Sequence, residues 1–166
     1  MALTGKWKEL GDALLAQWST TATNAGIDLG WARGMRGQPS YPCSPRTDCP
    51  RARLRVSEEG HSMAPGLGCA GQKAAFEYRY SLWVQLRQTP GEEHQTLLLA
   101  ALASFRDVLL QGGFVPDFGV SGVHKLQVTT LIGAVFDELD HPLSNPALRV
   151  STGEIRITLT GEIRSE

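Results

Sequence analysis

Phe76-Glu77-Tyr78-Arg79-Tyr80-Ser81-Leu82-Trp83-Val84-Gln85-Leu86-Arg87 decides the fold. Phe76, Tyr78, Tyr80, Leu82, Val84 and Leu86 fall on one side of an extended chain, and Glu77, Arg79, Ser81, Trp83, Gln85 and Arg87 fall on the other. Side chains in a strand repeat every two residues, so this pattern predicts one long, half-buried strand. Directly after it, Thr89-Pro90-Gly91-Glu92 combines a capping box with proline at the first helical position. Leu97, Leu98, Ala101, Leu102, Phe105, Val108 and Leu109 then recur at helical spacing and stop at Gly112-Gly113. A long strand running into a long helix is the centre of the chain.

Before it, Leu3, Trp7, Leu10, Leu14 and Trp18 mark one face of an amphipathic helix expected to end near Thr20. Ile27, Leu29 and Trp31 alternate as in a short strand. Residues 34 to 50 hold repeated prolines and glycines, which oppose regular structure. Ala52, Leu54 and Val56 alternate with Arg51, Arg53 and Arg55, predicting a second short strand with a basic outer face. A further irregular stretch is expected from Gly60 to Gln72. Downstream, Leu126, Val128, Thr130, Ile132, Ala134 and Phe136 predict another long strand, ended by the prolines at 142 and 146. In the last segment Leu148 and Val150 stand at even positions, Ile155, Ile157, Leu159 and Ile163 at odd ones. That parity change at Thr152-Gly153 predicts a bulge or tight turn. The expectation is a single α+β domain over 1–166: one mixed or mostly antiparallel sheet with two helices packed on one face, and an irregular Gly/Pro/Cys-rich insertion over 34–71.

The chain has 166 residues, enough for a single core, and a formal net charge of −1, which makes no electrostatic case for nucleic acid or an anionic membrane. Its longest apolar run, Leu97 to Ala103, is too short to span a bilayer. The N-terminal residues read as an amphipathic start, not a signal peptide. Three cysteines, an odd number, fit folding in a reducing cytoplasm.

Few residues point to chemistry. Cys43, Cys49, His61 and Cys69 offer a Cys3His zinc set in a segment poor in apolar residues, where a metal would supply order. Their spacings, with five, eleven and seven residues between successive ligands, match no compact zinc knuckle, and a loop packed on a partner is the simpler reading. Gly66-Leu67-Gly68-Cys69-Ala70-Gly71 matches a dinucleotide fingerprint in letters, but a strand follows it where a helix is required. Gly119-Val120-Ser121-Gly122 is one glycine short of a nucleophile elbow and does not join a strand to a helix. Asp137, Glu138 and Asp140 read as a solvated strand end. The lack of a catalytic constellation favours a non-enzyme.

Features that favour a partner are clearer. Trp83 lies on the polar face of the central strand between Arg79 and Arg87, and Trp flanked by Arg is common at protein interfaces. The helix face carrying Thr96, Ala100, Ala103, Asp107 and Gln111 is rich in small residues, which lets a neighbouring surface approach.

The plan resembles the tail terminator (tail completion) proteins of long-tailed bacteriophages. The resemblance rests on an opening amphipathic helix, a strand of the type Glu77-Tyr78-Arg79-Tyr80-Ser81-Leu82-Trp83-Val84-Gln85-Leu86, a Leu/Ala-rich helix, and closing strands like Leu148-Arg149-Val150 and Glu154-Ile155-Arg156-Ile157-Thr158-Leu159. It covers residues 1–20 and 73–163. The segment from Gly34 to Gly71 is longer and richer in cysteine than a minimal member requires. The resemblance implies a virion protein of the phage neck, assembled in the bacterial cytoplasm. As a homohexameric ring it would cap the tail tube protein and present a surface to the head-side connector protein. Closed rings use head-to-tail interfaces. Arg79, Trp83 and Arg87 are the expected contact residues, with Tyr41, Arg46 and Arg51 a second set. Another head–tail connector or minor tail adaptor shares this plan, and a small zinc-stapled enzyme or regulator is the reading from a different class.

Overall fold

The computed structural model describes residues 6–32, 50–62, 73–87, 94–110, 118–138 and 150–164. They form α1 (Lys6–Ala25), β1 (Asp28–Trp31), β2 (Arg51–Ser62), β3 (Lys73–Arg87), α2 (His94–Leu110), β4 (Val123–Glu138) and β5 (Val150–Arg164). The strands make one five-stranded sheet in the order β1-β2-β3-β5-β4. β1 runs parallel to β2, and every other neighbouring pair is antiparallel. The fold is therefore α+β with a single mixed sheet, as the periodicity implies.

The alternation in β3 divides the sheet into two unlike faces. Phe76, Tyr78, Tyr80, Leu82 and Val84 are buried in a core shared with Ile155, Ile157 and Leu159 of β5. Both helices close this inner face: α1 through Leu10, Leu14 and Trp18, α2 through Leu98, Leu102, Phe105 and Leu109. Each such side chain contributes about 1.5–3 kcal/mol on burial. No helix among the described residues is long and apolar enough to cross a membrane.

Three expectations need correction. α1 does not stop near Thr20 but continues to Ala25. It ends on Gly26 at φ 67°, where Ile27 N–H donates to Ala22 O (2.8 Å) and Gly26 N–H to Thr23 O (3.1 Å). That is a Schellman stop, with Ile27 and Ala22 both in the core. Thr20, Thr21 and Thr23 are weak helix formers, but the buried Ala22 and this stop extend the helix past them.

β2 is also longer than its apolar alternation shows. It runs for 12 residues, so the strand expected over Arg51 to Val56 is present within the 34–71 insertion and continues to Ser62, taking in Gly60–Ser62 from the stretch expected to be irregular. Beyond Val56 its residues are exposed, and pairing with β3, not burial, holds them. A bulge between Val56 and Glu58 reverses the parity there.

β5, finally, has neither bulge nor turn at Thr152-Gly153. Its register with β3 is unbroken from Arg87↔Val150 to Lys73↔Arg164. Gly153 lies on the inner face, where a β-carbon would come within 2.7 Å of Leu102. The missing side chain makes room for α2, and this gap in the apolar pattern mimics a parity change. The irregularities sit instead on β4, between His124 and Gln127 and between Ile132 and Val135.

Candidate functional site

With both helices on the inner face, the outer face of the sheet is the surface on which β2, β3, β5 and β4 align their polar positions. Register fixes the rows. Arg55, Ser81, Arg156 and Leu131 stand side by side across the four strands, and Glu58, Arg79, Thr158 and Thr129 form the next row. These two rows border an open recess of about 460 Å3, with Glu154 at its side. Ser81 is small and buried, and Leu131, 59% exposed, stands on the β4 side.

The arginines of this face are held in different ways. Arg51 Nε donates to Gln85 Oε1 (2.7 Å), and Gln85 Nε2 donates on to Thr152 Oγ1 (3.3 Å), which satisfies a buried polar row at one end. Arg53 donates to Asp28 Oδ2 (2.7 Å) and so fastens β2 to β1. Arg79 lies between Glu58 (3.1 Å) and Glu77 (2.9 Å). Arg156 faces Glu154 at 3.5 Å. Arg55 is different. Its guanidinium carbon lies 5.7 Å from the Trp83 ring centroid, and its buried Nε has no hydrogen-bond acceptor. Among the described side chains it is the one arginine or lysine with neither a hydrogen bond nor an ion pair.

Of the residues singled out in the sequence, Arg79, Trp83 and Arg51 are thus brought to one face of one sheet. Arg87 ends the same strand as Arg79 and Trp83, in register with Val150 of β5, and its side chain is outside the described set. Tyr41, Arg46, Cys43, Cys49 and Cys69 lie outside the described residues. So do the Thr89–Glu92 capping box, Asp140 and Gln111. His61 is placed. The bulge turns Glu59 and His61 toward the inner face, opposite Tyr78 and Phe76. His61 Nε2 and the Tyr78 hydroxyl are 2.6 Å apart, and Glu59 Oε1 lies 3.8 Å from His61 Nδ1. Burial, followed by the charge of Glu59, pushes the Tyr78 phenol well above its ordinary value near 10. This phenol keeps its proton and is a poor nucleophile.

Ala100 and Thr96 on the small-residue face of α2 are exposed, and Ala103 and Asp107 are half-buried. The turn at Gly119-Val120-Ser121-Gly122 leads directly into β4. The residues that the pattern did not single out for contact are Arg55 and Arg156. Each lies on the polar side of its own strand, but that they flank Ser81 depends on strand register, which no local pattern encodes.

No protein-family model matches the chain, and a search of the curated proteins finds no relative for it.

Proposed function

We propose that the chain is a structural protein of the neck of a long-tailed bacteriophage: a subunit of a ring, hexameric on the resemblance, that ends the tail tube and joins it to the head-side connector. The observation that supports this reading is the inequality of the two sheet faces. Both helices close the inner face, while the outer face carries Arg79, Trp83 and the recess between β2 and β4. Arginine and tryptophan on an open, rigid sheet are what a protein contact uses. The sheet also ends in unlike edges among the described residues, a four-residue β1 and a 16-residue β4. Unlike surfaces suit the head-to-tail contacts by which rings close.

Native mass by light scattering across a concentration series, with negative-stain images of the same fractions, tests the reading. A closed ring near six subunits is expected. A chain that stays monomeric at every concentration, and also in the presence of purified tail tubes, would overturn it.

A further inference from the structure

We infer that the recess on the outer sheet face is a carboxylate-binding site, built to take an aspartate- or glutamate-bearing segment of a partner protein on Arg55. This deepens the reading of that face as a protein contact and rests on it.

Every described carboxylate side chain already faces a basic group of its own chain: Glu9, Asp12, Asp28, Glu58, Glu59, Glu77, Asp107, Glu154 and Glu162. The described lysines and arginines are likewise engaged, with Arg55 the exception. Arg55 is half-buried, with its Nε withdrawn from water and left without an acceptor, whereas buried polar groups are normally satisfied. The Trp83 ring compensates part of the charge but accepts no conventional hydrogen bond. An external acceptor would complete the arrangement.

Chemistry selects the acceptor. A planar guanidinium pairs best with a group offering two parallel oxygens, and carboxylate is the protein group that does so. The hydroxyl-bearing residues Ser81, Thr129 and Thr158 line the same recess and can serve a carboxylate's remaining lone pairs. At about 460 Å3 the recess is within the size range of ligand clefts and admits a side chain together with the backbone that carries it. Polyanions are disfavoured. Glu58 and Glu77 flank Arg79, and Glu154 flanks Arg156, so a phosphodiester chain would meet as many negative groups as positive ones. A single carboxylate meets one guanidinium that has no ion pair of its own among the described residues. Because the chain's own described carboxylates are already paired, a foreign segment is the better-matched occupant.

Fluorescence anisotropy with a labelled peptide of alternating glycine and glutamate tests this on the full chain, with the matching glycine–glutamine peptide and oligothymidylate as comparisons. The glutamate peptide should bind and the glutamine peptide should not. Arg55→Gln should weaken binding about tenfold or more, and Arg55→Lys, which keeps the charge but loses the fork, should weaken it several-fold. Thermal melts confirm that both variants fold, and Arg156→Gln gives a second probe of the same recess that leaves the Arg55–Trp83 contact untouched. Equal binding of the two peptides, unchanged binding by Arg55→Gln, or tighter binding of oligothymidylate would each overturn the inference. Peptide binding that weakens as the chain self-associates would assign the recess to a second copy and overturn a foreign partner. Native mass is read on the same samples. A monomer that binds the glutamate peptide through Arg55 keeps the recess and loses the ring, whereas a ring that binds neither peptide keeps the ring and loses the recess.

Discussion

A β-carbon at Gly11 would meet the Trp31 indole at 2.1 Å and the Tyr80 ring at 3.2 Å, so this mid-helix position holds glycine because α1 presses on two aromatic rings. Alanine there gains about 1 kcal/mol of helix propensity but must displace the indole, which donates to Asp12 Oδ1 at 2.7 Å and stands edge-on to Trp7. Overpacking of this kind costs about 1–3 kcal/mol, and Gly11→Ala is expected to lower stability by about 1 kcal/mol net. A lower urea midpoint with an unchanged slope would show this; a midpoint at or above that of the parent chain would mean that Trp31 swings aside freely. Tyr78 and Tyr80 give a second residue-scale prediction. Burial first, then neighbouring negative charge, raises both phenols above their ordinary value near 10, and Tyr80 also donates to Trp7 O at 2.6 Å. The folded chain thus holds protons that the unfolded chain releases above about pH 10, so their contribution to stability is complete below that pH and declines as pH rises above it. Absorbance at the tyrosinate band should show two of the three tyrosines ionising only together with unfolding. Three phenols ionising near pH 10, with the circular dichroism still native, would refute this.

Between elements, Trp18 joins the two helices. Its indole N–H donates to Phe105 O at 2.8 Å, and the two rings meet edge to face at 5.9 Å. Trp18→Ala should cost about 3–5 kcal/mol through the cavity and the lost bond; Trp18→Phe, which fills most of the space, should cost less. Chemical denaturation would measure the pair, and equal losses for the two variants would mean that the hydrogen bond, not the volume, dominates. Trp18 illustrates what was legible in the sequence: its place in a four-and-three repeat fixed it on the buried face of α1, as the strict alternation fixed β3. Both signals are local. The length of β2 was hidden because Ser57 to Ser62 are strand by pairing with β3, with no apolar alternation to reveal them. The apparent break in β5 came from Gly153, whose inner-face position follows from contact with Leu102, a residue far away in the sequence. The outer face was half legible. Trp83 beside Arg79 stood out on one strand, but Arg55 against Trp83, with Ser81 between Arg55 and Arg156, required the register of three strands.

For the whole molecule, the asymmetry of the two sheet faces predicts how assembly responds to charge. The inner face is closed by apolar packing, so salt should leave folding nearly unchanged. The outer face presents ion pairs and arginines in water, where interactions between exposed charges are screened over about 8–10 Å at ordinary ionic strength and over about 3 Å near 1 M salt. If the neck contact uses this face, the native mass of the assembled protein should fall as salt is raised, while the thermal midpoint of the chain itself holds. Arg79 gives the sharper test. It is exposed between Glu58 and Glu77, so Arg79→Glu places three carboxylates together without entering the core. Surface changes of this type shift stability by about 0.5 kcal/mol or somewhat more where like charges meet, which leaves the fold intact. Its effect on an interface should be larger, because an arginine contact is lost and a repulsive one replaces it. Sedimentation at matched concentrations should therefore show Arg79→Glu as a smaller species than the parent chain, with unchanged circular dichroism. A variant that assembles as the parent does would place the contact away from the outer face, on the sheet edges or the helices.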